Sequence, residues 1–143
     1  MPPLNQNYAQ DMKRGLEEQC GQLGLRYRFA QNVDSDKSSD DIRHWIIHRL
    51  QNSPEVDAIV SSSSKTAIAA IVAIEQVGRK LGEDIDVYSK EVVPILKMFR
   101  EDIMVEFEDV SGAGQFLAKA VMQLLLEPEK PPMQHLEIPV SDP

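Results

Sequence analysis

Apolar residues recur along the chain in two periods, one typical of helices and one typical of strands. Helical spacing predicts a helix over residues 8–23, ended by Gly24, and a second within residues 41–52. Residues 25–30 alternate between apolar and polar side chains, which predicts a strand. Residues 57–60, DAIV, form a short apolar run of the kind found in a central parallel strand.

The second half of the chain continues the alternation of helices and strands. It predicts a helix from about residue 65 to 81, a strand within 84–89, a short helix or turn after Pro94, a strand over 103–108, a helix over 111–126 stopped by Pro128, and a last edge strand within 133–139. Strands that alternate with helices are joined as parallel neighbours by crossover helices. The sequence therefore predicts an α/β fold, a parallel sheet with helices on both faces.

Composition is consistent with one globular domain that does not bind polyanions. The chain has 143 residues, 42% of them hydrophobic and 27% charged, which suffices for a real core. A net charge of -8 argues against nucleic acid or an anionic membrane touching most of this chain. The single cysteine, Cys20, excludes an internal disulfide and favours a cytoplasmic location. Residues 1–7 lack the features of a signal peptide and are expected to be disordered.

Four consecutive serines, Ser61 to Ser64, stand between the strand 57–60 and the following helix. Ligands bind at the carboxyl ends of parallel strands, where helix N–H groups and small hydroxyls meet. A phosphate-binding loop would need glycines, and a nucleophilic serine would need a glycine-flanked elbow with a histidine base; the sequence has neither here. The plain alternative is a helix cap, for which Ser64 is the expected residue, and one cap leaves the other serines for a binding role.

Other motifs favour structure over chemistry. SGAGQF after the strand 103–108 lacks the third glycine of a dinucleotide site and predicts a close-packed turn. His44 and His48 are spaced to share a metal, but no third ligand is evident, so a solvated face is expected. Cys20 falls on an apolar helical stripe. With no catalytic pair in the loops, the chain is predicted not to be an enzyme and to need neither cofactor nor metal.

The order of segments resembles the effector-binding core of the lactose-repressor/galactose-repressor family of transcription regulators, which share the periplasmic sugar-binding protein fold. The matching stretches are RGLEEQCGQLGL, PEVDAIVSSSSKTAIAAIVAIEQVGRKLGEDIDVYS, PILKMFREDIMVEFEDVSGAGQFLAKAVMQLL and PPMQHLEIP. The resemblance covers about Tyr8 to Pro139. It implies that residues 8–139 are the C-terminal lobe of such a domain, that helix 111–126 packs with the first lobe, and that residues 140–143 are a tail.

The resemblance also implies which residues line the effector cleft. They are Ser61, Ser62, Ser63, Ser64, Lys90, Glu91, Asp34, Ser35 and Met12. Two of them depart from the family pattern, because Ser64 stands where the family has a sugar-binding Asp and Met12 where it often has an Arg. Losing both weakens a network for a neutral sugar. Three outcomes stay open: a sugar or sugar derivative, an anionic or phosphorylated ligand, or no effector at all.

The leading hypothesis is an effector-sensing domain of a transcription regulator, in which lobe closure controls operator binding by a helix-turn-helix outside these residues. The alternatives are a self-contained flavodoxin-like α/β enzyme and an export-side solute-binding protein. The apolar helix 113–126, cut free of a first lobe, would expose a large face, so a homodimer is expected, with that helix exchanged between chains as one form.

Overall fold

The structure is a computed structural model that describes residues 5–30, 37–91, 95–136, 138 and 140–141. The chain divides into two compact units, Met1–Ser35 and Asp36–Pro143. Among the described residues, no helix is both long and apolar enough to cross a membrane.

The first unit contains helix α1, Asn5–Leu23, and the segment after it. Gly24 ends the helix with φ of 67°, a left-handed conformation that favours glycine. The strand predicted over residues 25–30 is wrong, since these residues join no sheet. Tyr27 and Phe29 instead contact each other edge to face, and Lys13 Nζ lies 5.0 Å from the Phe29 ring centroid. Alternation gives a segment the side chains of a strand, but only a neighbouring strand can supply the hydrogen bonds.

The second unit is an α/β layer structure. Its elements are α2 (Ser39–Asn52), β1 (Ala58–Ser61), α3 (Ser64–Gln76), β2 (Asp86–Glu91), α4 (Ile95–Phe99), β3 (Met104–Phe107), α5 (Val110–Leu126) and β4 (Val140–Ser141). The strands lie in the order β1-β2-β3-β4, with β1, β2 and β3 parallel and β4 antiparallel to β3. The predicted class, a parallel sheet flanked by helices, is confirmed.

Helix α3 forms the centre of the core, packed against α2, β1 and β2. Its alanines Ala67, Ala70 and Ala73 are fully buried, and their small side chains let neighbouring backbones approach closely. From α2, Ile42 and Ile46 are buried on the same side. Each fully buried isoleucine contributes about 1.5–3 kcal/mol of transfer free energy. This packing fixes the start of α3, and with it the serine loop, against the sheet.

Helix α3 is shorter than the predicted range 65–81 because glycine ends it early. Gly78 adopts φ of 76°, and its N–H donates to the Glu75 carbonyl at 3.0 Å. The Arg79 N–H donates back to the Ile74 carbonyl at 3.1 Å, which completes a Schellman motif. An isolated bridge between Leu81 and Ile85 closes the turn that follows, and the chain re-enters the sheet at Asp86, which pairs with Ala58 of β1.

The last strand lies later than predicted. The described residues of the stretch 133–139 form no regular strand, whereas Val140 and Ser141, assigned to a tail from the sequence, pair with Phe107 and Glu106. The last strand forms where the backbone can hydrogen-bond to the edge of β3. The alternation of side chains along the sequence does not indicate which residues reach that edge.

Two surfaces of the second unit remain exposed. Val60 and Met104 lie in the same row of the sheet, and their side chains are 51% and 50% exposed. Helix α5 has no buried residue among those described, and Leu117 and Leu125 are 62% and 72% exposed. These surfaces are unusual for a chain of this size and bear on its assembly.

Candidate functional site

The carboxyl ends of β1, β2 and β3 meet at one edge of the sheet, because the three strands are parallel. Ser61 pairs with Ser89, and Ser89 pairs with Val105. Neighbouring strands lie about 4.8 Å apart, so the residues that follow these three come close together. This edge is where the fold of an open parallel sheet binds ligands.

The serine loop is held by its own hydroxyls. Ser61 is buried, and its Oγ donates to the Ser63 carbonyl at 2.8 Å and accepts from the Ser63 N–H at 3.3 Å. Ser63 is the N-cap of α3, with its Oγ accepting from the Thr66 N–H and lying 3.1 Å from Thr66 Oγ1. The expectation that Ser64 caps this helix is therefore wrong. Ser62 is exposed at the tip of the loop.

Two lysines flank this edge, and both contact acceptors. Lys65 Nζ, in the first turn of α3, donates to the Lys37 carbonyl at 2.5 Å. Lys90 Nζ, near the end of β2, forms an ion pair with Glu108 Oε1 at 2.5 Å. Glu108 follows the end of β3 directly, and sequence reasoning did not select it. The sequence could have indicated Glu108, because a residue that follows a parallel strand lies at the same edge of the sheet as the serines.

The other residues predicted for the cleft are placed only in part. Glu91 ends β2, but its side chain lies outside the description, and Asp34 and Ser35 lie outside the described residues altogether. Met12 is half-buried on α1, in the first unit. For these four residues, as for the serines and Lys90, a ligand contact stays a prediction from the family resemblance.

The remaining candidates have structural explanations. His44 and His48 are exposed, and His44 Nδ1 lies 2.8 Å from the Asp40 carbonyl. Within the described ranges, no group of three or more His, Cys, Asp or Glu side chains is arranged to hold a metal ion. The SGAGQF motif begins α5, where the Asp109 carboxylate accepts from the Gly112 N–H at 2.8 Å. This motif is therefore a capped helix start.

A charge network of three side chains lies at the opposite edge of the sheet. Arg100 contacts Glu75, at the end of α3, and donates to Asp102, before β3. Its hydrogen bond lowers the pKa of Asp102, and the two carboxylates raise the pKa of Arg100. A similar bond from Ser38 lowers the pKa of Asp41 in the first turn of α2. These shifts mark structural contacts at element ends: Arg100 and Asp102 lie before β3, whereas Ser38 follows Lys37, whose carbonyl accepts from Lys65 beside the serine loop.

Comparison with known proteins yields matches in structure only. No protein-family model matches the chain, and no curated protein matches it. A PurR family transcriptional regulator from Vibrio parahaemolyticus RIMD 2210633 aligns with a TM-score of 0.82 at 15% identity, over 96% of this chain and 50% of that one. A LacI family regulator from Arthrobacter sp. FB24, solved with lactose, aligns with a TM-score of 0.69 at 17% identity, over 85% and 44%.

A binding protein of another class shares the fold. The 5-methylthioribose transporter solute-binding protein from Thermotoga lettingae TMO, solved with 5-methylthioribose, aligns with a TM-score of 0.60 at 22% identity, over 83% of this chain and 38% of that one. The chain thus spans about half the length of the solved structures it matches. It has the fold of about half of a LacI/PurR-family transcriptional regulator, which confirms the predicted resemblance at the level of the fold.

Proposed function

We propose that this chain is the small-molecule-sensing part of a LacI-type transcription regulator and that its ligand is a sugar or a sugar-like compound. The fold match to regulators over 85–96% of the chain carries this proposal, and one of those regulators was solved with lactose. The carboxyl edge of the sheet supports it further, since serine hydroxyls and an ion pair, groups that can hydrogen-bond a polar ligand, stand there.

In this proposal the serine loop and the ends of β2 and β3 form one wall of a cleft. Ser62, at the exposed tip, and the backbone N–H groups at the start of α3 contact the ligand, while Ser61 and Ser63 keep the loop in shape. A second lobe supplies the opposite wall. Closure of the two lobes on the ligand changes the spacing of paired DNA-binding parts, so ligand binding and operator binding are linked.

The proposal includes a homodimer that covers part of α5. The residues after this helix fold back along one side of it, with Gln123 Nε2 donating to the Pro131 carbonyl at 3.1 Å and the rings of Phe116 and His135 5.1 Å apart. Its other side keeps Leu117 and Leu125 exposed. Apolar surface of this kind is usually covered by association. Light scattering that gives a compact monomer at high protein concentration would argue against the dimer.

A titration of the chain with lactose and with cellobiose tests the binding proposal. Amide NMR should show saturable shifts at Ser62 and Lys90 with weak, millimolar-range affinity, because half of the cleft is absent. The Ser62→Ala variant should lose affinity, whereas Ser39→Ala, an exposed serine at the start of α2, should not. The absence of saturable shifts at this edge for any sugar in a wider panel would refute the proposal. Micromolar sugar binding by this chain alone would refute the proposal that a second lobe supplies half of the cleft.

A solute-binding protein is the second candidate, favoured by the match to the 5-methylthioribose-binding protein. Both classes use the same lobe architecture, so the lobe itself does not separate them. The coding sequence upstream of residue 1 does, because a helix-turn-helix there identifies a regulator and a signal peptide an exported binding protein.

A further inference from the structure

We propose that Glu108 is a specificity-determining residue: by pairing with Lys90 it occupies the ammonium group at the ends of β2 and β3, so that the edge accepts uncharged polyhydroxy ligands and rejects phosphorylated or otherwise anionic ones. The inference rests on the proposed function for the position of the ligand. It goes beyond that function in naming the ligand class and the residue that selects it.

The ion pair spans two neighbouring strand ends. Lys90 pairs in register with Glu106, and Glu108 lies two residues further along the same strand direction. Side chains two residues apart point to the same face of a sheet, so Glu108 reaches Lys90 from beyond the end of β3. The Nζ–Oε1 distance is 2.5 Å, and the two side chains are 26% and 36% exposed. The pair is therefore accessible to a ligand and partly shielded from water.

The charges around Lys90 disfavour an anion. Glu108 contacts its ammonium group, Glu106 is its register partner, and Asp109 follows with its carboxylate on the Gly112 N–H. A phosphate group would have to displace a carboxylate from Lys90 while lying close to other negative charges. Such like-charge placement is a common way for a site to reject the wrong ligand.

The same pair suits a neutral polyol. An ammonium group offers three N–H donors and a carboxylate about four lone-pair positions, which is more than a single ion pair uses. A sugar hydroxyl both donates and accepts, which matches a donor and an acceptor held side by side. Bonds to charged partners are also stronger than bonds between neutral groups.

The test uses inorganic phosphate as the probe, so that it does not depend on knowing the sugar. We compare the unmodified chain with Glu108→Gln, which keeps the shape and removes the charge. The matched control is Glu83→Gln, which frees Lys80 from an equivalent but exposed ion pair and changes the net charge equally. Phosphate binding is followed by the amide NMR shifts of Lys90 and Ser62, at constant ionic strength.

Glu108→Gln is expected to bind phosphate on the order of tenfold more tightly at this edge, the value of one charge-assisted hydrogen bond. Glu83→Gln should bind it no better there than the unmodified chain, and the double variant Lys90→Gln/Glu108→Gln should lose the gain. Phosphate binding at these amides in the unmodified chain, or no gain in a well-dispersed Glu108→Gln spectrum, overturns the inference. A failure of the sugar titration with a positive phosphate result would instead count against the proposed function alone.

Discussion

Replacing the first three serines of the loop one at a time by alanine separates hydroxyls that hold the loop from a hydroxyl available to a ligand. Ser61 and Ser63 make the hydrogen bonds of the loop, whereas Ser62 is exposed at its tip. The three substitutions remove the same atom from neighbouring positions, so differences in stability report the different environments directly.

The expected magnitudes follow from those environments. Ser61→Ala removes a donor and an acceptor at 2.8 and 3.3 Å from a side chain that is 2% exposed. Leaving its partners on Ser63 unsatisfied costs about 1–3 kcal/mol. Ser63→Ala removes a helix N-cap, which costs about 1 kcal/mol. Ser62→Ala, at an exposed position, should change the free energy of unfolding by less than about 0.5 kcal/mol.

Urea unfolding followed by far-UV circular dichroism measures these values, with the slope of free energy against urea required to stay constant across the series. The Ser61 hydroxyl bonds to the backbone of Ser63, which Ser63→Ala leaves in place, so the double substitution should cost about the sum of the two single ones. A Ser62→Ala variant as destabilised as Ser63→Ala, or a Ser61→Ala variant of unchanged stability, would refute this account of the loop.

Two further predictions concern element ends. Gly112→Ala should destabilise the chain by about 1 kcal/mol, because the added Cβ would displace the Asp109 carboxylate that caps α5. Gly114→Ala, on the same helix, meets no atom and should stabilise the chain by about 0.5–1 kcal/mol. Thermal denaturation distinguishes the two variants, and equal effects would refute the cap. The hydrogen bond from Arg100 lowers the pKa of Asp102, so the ionised carboxylate stabilises the folded state at pH values above the ordinary carboxyl pKa of 3.8. This stabilisation is lost as the pH falls through the lowered pKa. The free energy of unfolding of Arg100→Met should therefore vary less with pH in this acidic range. An unchanged pH dependence would contradict the pairing of Arg100 with Asp102.

Much of the fold could be predicted from the sequence, because its signals are local. Apolar spacing identified the helices α2, α3 and α5 of the second unit. The alternation of strands and helices predicted the parallel orientation of β1, β2 and β3. Gly78 also carried a local signal, since a glycine inside the predicted range 65–81 indicates a helix end.

The candidate site was predicted in position more than in detail. Ser61 to Ser64 do lie at the carboxyl end of a parallel strand. Which serine caps α3 was not predictable, because neighbouring serines have the same capping propensity and the helix start fixes the choice. The pairing of Lys90 with Glu108 was also missed, since 18 positions separate the two residues in the sequence.

The sequence by itself determined the types of the main elements, their order along the chain and the edge of the sheet at which the four serines lie, since these depend on side chains a few positions apart and on the handedness of the connections. Only the tertiary structure decided that residues 25–30 stay outside the sheet, that Val140 and Ser141 enter it, and that Lys90 is paired with Glu108. The physical reason is the same in each case. A strand and an ion pair both need a partner from a distant part of the chain, and no local pattern specifies which distant group the fold brings within hydrogen-bonding distance.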